Sequence, residues 1–189
     1  PNRDHVSTEI TTLPLIETVT PIDQDALAEQ VAGCFEQQRP VYPLGGCTSL
    51  DYGLLPRQEG IGLSLAGLNR LVDFPARDLT VTVEAGFSMA TLAEQVAPEG
   101  LQLPIHVPQA KEATIGGVIA TNWNGPARKG YGTIRDYVIG ISAVDGKGLP
   151  FRGGGRVVKN VAGYDFCKLL TGSLGTLGVI TEVTLRLKP

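Results

Sequence analysis

No stretch of the 189-residue chain is apolar for long enough to cross a membrane, and no basic run exceeds Arg128-Lys129. The first absence argues against a transmembrane helix. The second, with a net charge of -3, argues against the electrostatic footprint of a nucleic-acid-binding protein. Cysteine is scarce and odd in number: Cys34, Cys47 and Cys167 are scattered, with no C-x-x-C spacing, so neither a disulfide framework nor a zinc site is indicated. A reducing, cytoplasmic setting fits, and no metal is expected. The N-terminus lacks a basic segment followed by an apolar one. Neither G-x-G-x-x-G nor the P-loop pattern occurs, which sets aside a Rossmann site and a P-loop nucleotidase. G-x-S-x-G and H-E-x-x-H are missing too, and no carboxylate pair has the spacing of an acid/base couple.

Glycine is what the chain has in excess, at 24 residues, roughly double its usual share. Five of them lie between Ala113 and Gly132. A side chain at Gly116 or Gly117 would block close approach, so this stretch reads as backbone laid against something flat or charged. Loops of this kind expose N–H groups that suit an anion. A second glycine loop, Gly45-Gly46-Cys47-Thr48-Ser49, adds two hydroxyl donors fit for phosphate oxygens.

Residues 1–20 read as an extended, polar lead-in with His5 solvated. Ile22, Ala26, Leu27, Val31, Cys34 and Phe35 recur at helical spacing from Pro21 to Gln38, with Pro21 or Asp23 as the start. Strands are expected at Val41–Leu44, Ile61–Leu65 and Leu79–Ala85, with a half-buried alternation in the last. Ser88 is expected to cap a helix that carries Leu92 and Val96. His106 is assigned no role. Tyr137–Val144 and Leu149–Arg152 read as strands joined by an Asp145-Gly146 turn. A short helix is expected over Asp165–Leu170 after Gly163, and the final alternation, Val179–Leu187, is a strand of a one-faced sheet. Two strand-helix passages imply an α/β layer ahead of Pro108 and antiparallel β beyond it. From residues alone this is an α+β domain with glycine loops for a phosphate-bearing ligand.

The ordered blocks L-G-G-C-T-S-L, V-E-A-G, T-I-G-G-V-I-A-T-N, Y-G-T-I-R-D-Y-V-I-G and V-K-N-V-A-G-Y-D-F-C-K-L-L-T-G-S-L-G-T-L-G-V-I-T-E-V resemble the FAD-binding (PCMH-type) domain of the vanillyl-alcohol oxidase and p-cresol methylhydroxylase superfamily. Within it, the likeness is to the E subunit of glycolate oxidase and to D-2-hydroxy-acid dehydrogenases. The resemblance implies an α+β, two-subdomain fold: a small α/β subdomain over about 21–108 and a mainly antiparallel β subdomain with flanking helices over about 109–189. It also implies FAD as cofactor, gripped by Gly45, Gly46, Cys47, Thr48 and Ser49 from one loop. Thr114, Ile115, Gly116, Gly117, Thr121, Asn122 and Gly125 are implied from the second, meeting pyrophosphate, ribityl chain and flavin. Tyr131 and Gly132 would close over the cofactor, Gly178, Val179 and Ile180 would offer backbone groups, and Pro108 would line the pocket.

Cys47 stands where the resembling sequences have a third glycine, at a cost if a positive φ is needed. Thr48 stands where some of them attach FAD to histidine, so non-covalent FAD is expected. Their substrate and acid/base residues come from a cap domain that this chain does not reach, which leaves the catalytic residues unassigned. Two functions follow. One is the FAD-binding domain or subunit of an oxidoreductase that passes hydride from a glycolate-like 2-hydroxy acid to the flavin, with further oxidase subunits as partners. The other is a non-catalytic scaffold of such a complex with weakened FAD binding. A flavin reductase of cell-wall precursor synthesis is disfavoured by the last block.

Overall fold

A computed structural model describes residues 13–54, 56–155 and 164–189. His5 with the lead-in over 1–12, and residues 158–163 of the last block, lie outside the described residues. Asp23 begins the first helix, α1 (Gln24–Glu36), because its side chain accepts the Ala26 N–H. Leu27, Val31 and Cys34 form the buried face of α1. Ile22 and Phe35 do not join it: Ile22 precedes the cap, and Phe35 sits one residue beyond the stripe, so both face solvent.

Helix α1 connects β1 (Leu15–Val19) to β2 (Val41–Leu44), and both pair in parallel with β3 (Gly60–Ser64) in the order β1-β3-β2. Strand β1 replaces part of the expected lead-in. It lies at a sheet edge with three exposed central residues, and its strand character comes from pairing with β3 rather than from alternation.

The second sheet is antiparallel throughout, in the order β4-β5-β8-β6-β7. Its strands are β4 (Leu71–Asp73), β5 (Thr80–Glu84), β6 (Val138–Val144), β7 (Pro150–Gly154) and β8 (Val179–Arg186). The change of sheet therefore falls between β3 and β4, not at Pro108, and β5 with the following α2 (Met89–Val96) makes no second parallel passage. Strand β5 is buried on both faces instead of alternating. Two of its three buried polar side chains have partners: Thr82 Oγ1 meets Thr184 Oγ1 at 3.0 Å, and Glu84 accepts the Arg70 backbone N–H at 2.8 Å and its guanidinium at 2.7 Å, whereas Thr80 Oγ1 finds none among the described residues. The start of α1 lies over this face, where Thr181 donates to Gln24 Oε1 at 2.6 Å.

Ser88 caps α2 as expected, accepting the Thr91 N–H at 3.1 Å, and Asp165 caps the short helix Phe166–Leu170. The β6–β7 connection is longer than the expected two-residue turn, since pairing ends at Val144 and Pro150. Asp145 Oδ1 accepts both the Lys147 and Leu149 N–H groups, and Gly148, at φ +82°, packs so tightly on α1 that a Cβ would meet Ala28 O at 2.6 Å. Tertiary contact thus overrides the local turn signal. One apolar core joins α1, β3 and α2 to the large sheet, with Leu27, Leu63, Val83, Leu92 and Leu185 among its buried members.

Cys34 and Cys167 are buried. Desolvation first, and the charge of Asp165 second, push the Cys167 thiol from an ordinary 9.0 up to about 11. Below about pH 9 the thiol is protonated in folded and unfolded chains alike, and stability is intact. As pH rises toward 11 the unfolded chain ionises first, so about 2–3 kcal/mol is lost across that window. Cys167→Ala is expected to lack this part of the alkaline decline, read as the shift in urea midpoint between about pH 8 and about pH 10.5.

Candidate functional site

The parallel ladder of β2 ends at Leu44, opposite Ser64, and the chain then turns flat against residues 112–114. A Cβ on Gly46 would sit 1.7 Å from Glu112 O, and one on Gly45 would sit 2.4 Å from Thr114 Oγ1. The two glycines are required by these contacts with the protein itself. Cys47 follows in the left-handed region at φ +55°. The outcome is a run of backbone N–H groups, from Gly45 through Ser49, with no acceptor among the described residues. The hydroxyls of Thr48 and Ser49 are also without a partner there. Unpaired donors in a row are the make-up of an anion cradle.

The T-I-G-G segment behaves differently from its expectation. It is not an open loop but the first turn of α3 (Ile115–Ala120), capped by Thr114, whose Oγ1 accepts the Gly117 N–H at 3.3 Å. The Ile115 N–H donates to Phe87 O at 2.9 Å and that of Gly116 to Ala85 O at 2.8 Å. These amides are consumed within the fold, so the paired glycines expose no N–H row. Gly116 is a glycine because a Cβ would lie 2.8 Å from Ala85 Cβ, whereas Gly117 meets only Thr114 Oγ1, at 3.2 Å.

Helix α3 ends in a Schellman pattern: Asn122 N–H donates to Ile119 O and Trp123 N–H to Val118 O, both at 3.0 Å, with Asn122 at φ +51°. Asn122 thus terminates the helix and turns Trp123 toward the cleft.

The cleft between the glycine loop, α3 and the approach to β8 has a volume of about 890 Å³, within the range of small-molecule sites. It brings together Gly45, Gly46, Cys47, Thr48, Ser49, Pro108, Thr114, Gly116, Gly117, Thr121, Gly178, Val179 and Ile180. Five other expected residues do not line it. Ile115, the first residue of α3, is wholly buried, and Asn122 serves as the helix stop. Gly125 backs onto His106, whose carbonyl would be 2.6 Å from an added Cβ. Tyr131 lies outside, its carbonyl accepting the Tyr137 hydroxyl, and Gly132, at φ +90°, packs against Asp136. Tyr52, Trp123, Leu174, Gly175 and Thr176 line the cleft without having been singled out. Tyr52 and Trp123 are far apart in the chain and carry no local signal; the S-L-G-T run already stands in the last block.

Asp51 is the one charged residue among the described lining residues, and neither Lys nor Arg is among them. An anion here meets neutral N–H dipoles and hydroxyls rather than cations. Among the described residues no cluster has the make-up of a metal site, and no helix is long and apolar enough to cross a membrane.

Comparison with known proteins adds the family. A family model described as "FAD binding domain" matches residues 17–154. Glycolate oxidase subunit GlcD of Bacillus subtilis (strain 168) is 36% identical over 171 residues, which cover 90% of this chain and 36% of that protein. D-lactate dehydrogenase of Archaeoglobus fulgidus is 38% identical, over 90% of this chain and 38% of its own length. Glycolate oxidase subunit GlcE of Escherichia coli (strain K12) is 34% identical, over 87% and 47% respectively. The chain therefore spans about a third to a half of these curated relatives. A solved alkyldihydroxyacetonephosphate synthase superposes with a TM-score of 0.78 at 22% identity, covering 90% of this chain and 31% of that one. At that identity the likeness is one of fold, and it supports the PCMH-type architecture.

Proposed function

Because the chain belongs to the FAD binding domain family, whose cofactor is FAD, we propose that it holds FAD in this cleft as the cofactor-bearing part of an oxidoreductase for a 2-hydroxy acid. The observation that carries the reading is the row of unpaired N–H groups from Gly45 to Ser49, beside a glycine that has no room for a Cβ. A pyrophosphate fits that donor set, since hydrogen bonds to a charged group contribute about 1.5–3 kcal/mol each. Relatives named for glycolate, D-lactate and D-2-hydroxyglutarate share a substrate with a hydroxyl on the carbon next to a carboxylate.

Bound FAD supplies the two-electron acceptor for such an oxidation. The chain's own residues bind and orient: the loop N–H groups and the Thr48 and Ser49 hydroxyls face the phosphates, and α3 and the approach to β8 wall the cleft. Among the described lining residues there is no His, Lys or Arg to take the hydroxyl proton or hold the substrate carboxylate. A further segment or a partner oxidase subunit supplies those groups and the exit for electrons. Attachment is non-covalent and the setting cytoplasmic in this reading. The scaffold alternative draws no support from a loop whose donors are left open.

Gel filtration after incubation with FAD tests the reading. A flavin spectrum is expected to stay with the protein and to be released by denaturation. Affinity is expected to change by less than about three-fold between about 0.05 M and 0.5 M salt, because dipoles rather than charged side chains hold the phosphates. Failure to retain flavin from excess FAD would favour the scaffold.

Cys47 offers a check on the loop. A residue with a Cβ in the left-handed region costs about 1 kcal/mol or more relative to glycine, and Cys47 sits there at φ +55°. Cys47→Gly is expected to raise the stability of the chain by about 1 kcal/mol in a urea titration, because the strained φ is already held in the fold; an unchanged midpoint would show that the position carries no such cost.

A further inference from the structure

Loop 45–52 runs alongside α3, with Gly45 against Thr114 at one end and Tyr52 against Trp123 at the other. At this second end the cleft wall becomes aromatic. The two rings have centroids 6.2 Å apart and planes inclined at 34°. The indole is held in place, since Nε1–H donates to His106 O at 3.1 Å and the backbone N–H closes the Schellman turn on Val118 O. The Tyr52 backbone N–H donates to Ser49 O at 3.3 Å, so the end of the unpaired N–H row and the aromatic pair belong to one turn.

At about 1.5 Å of rise per residue, α3 and its caps separate the two ends of the wall by roughly 10–13 Å. The ribityl chain that links a flavin ring to its phosphates bridges a span of this order. The aromatic end is also the open one: Tyr52 is 42% exposed and the neighbouring Leu54 is 98% exposed. A ring that must meet a substrate belongs where the cleft opens, whereas adenine has no such need.

We propose, resting on the FAD reading above, that Trp123 and Tyr52 form the wall against which the flavin ring lies, while the Gly45–Ser49 amides take the phosphates. Flat apolar faces stack on flavins as they do on nucleobases. An electron-rich indole in contact with a flavin quenches its emission, and the effect is lost within a few ångströms. Trp123 is the single tryptophan of the chain, so a change in flavin emission on its replacement has one source among the indoles.

The test is the emission of protein-retained FAD, normalised to its absorbance, in the wild-type chain, Trp123→Phe and Trp123→Ala, with ADP affinity measured in parallel. Wild-type emission is expected to be low. The phenylalanine variant keeps a stacking face, so it is expected to retain FAD within about three-fold of wild type and to emit at least about five-fold more per bound flavin. Trp123→Ala is expected to weaken FAD by about ten-fold and leave ADP unchanged. Retained FAD that is equally bright in wild type and Trp123→Phe overturns the ring placement alone. Loss of ADP affinity in Trp123→Ala equal to the loss for FAD places adenine there and overturns it as well. A wild-type chain that retains no flavin absorbance overturns the FAD reading and this inference together, and the absorbance distinguishes that outcome from the others.

Discussion

Gly46→Ala is expected to reduce FAD affinity by at least about 100-fold while the chain stays folded. The added Cβ would lie 1.7 Å from Glu112 O, 2.5 Å from Glu112 C and 3.2 Å from Ala113 N. All three are backbone atoms, which no rotamer change can move aside. The loop must lift away, and the unpaired N–H groups of residues 45–49 lose their common direction. Two hydrogen bonds to a charged group lost at about 1.5–3 kcal/mol each are enough for the fall in affinity. Among the described residues these amides have no acceptor, so their displacement is expected to cost the fold only about 1 kcal/mol. Equilibrium dialysis with FAD and a urea titration measure the two quantities. A Gly46→Ala chain that binds FAD as wild type does would show that this loop is not the phosphate site.

Gly116→Val is expected to have the opposite balance, with the fold suffering first. Gly116 N–H donates to Ala85 O at 2.8 Å, and a Cβ would sit 2.8 Å from Ala85 Cβ and 3.0 Å from Ala85 O. This is the clamp between the end of β5 and the start of α3, inside the core. A branched side chain forces α3 off Ala85 and Ile115 out of its buried position. Overpacking of this kind typically costs 1–3 kcal/mol, and about 3 is expected here because the hydrogen bond is broken too. Thermal unfolding is expected to show a Tm lower by about 6–12 °C for a loss of about 3 kcal/mol in a chain of this size, with FAD binding lost alongside. Gly117→Ala, which meets only Thr114 Oγ1 at 3.2 Å, is the control expected to fold normally. Equal stability of all three chains would contradict the clamp.

The elements legible in the sequence are those whose signal is local. Asp23, Ser88 and Asp165 announce helix starts because a short side chain accepts an N–H three residues on. The apolar alternation of β8 reports its buried face directly. Strand β1 and helix α3 are illegible for a common reason. The first is a polar edge strand held by β3, and the second hides two glycines in its first turn and is held by Thr114 and Ala85. Both depend on partners distant in the chain. The Asp145-Gly146 signal is real but outcompeted, since Gly148 must fit under α1 and Asp145 gathers two N–H groups into a wider loop.

The site divides in the same way. The glycine loop after β2 was readable as an anion cradle, because glycines and hydroxyls adjoin in the chain. Which glycine loop keeps its donors free was not, since that depends on whether Phe87 and Ala85 carbonyls reach the T-I-G-G amides. Gly116 lines the cleft and also packs against Ala85, and that packing follows from the same placement. The Tyr52 and Trp123 pair arises only when α3 and loop 45–52 lie side by side.

The most direct measurement is an amide NMR titration of the isotope-labelled chain with FAD, and with ADP as the phosphate probe that lacks the flavin ring. The account predicts that the N–H signals of Gly45, Gly46, Cys47, Thr48 and Ser49 move with both ligands toward the shifts of strongly hydrogen-bonded amides, while those of Ile115 and Gly116, already donated to Phe87 and Ala85, move little. Saturating FAD that shifts the Ile115 and Gly116 amides and leaves residues 45–49 in place would contradict it.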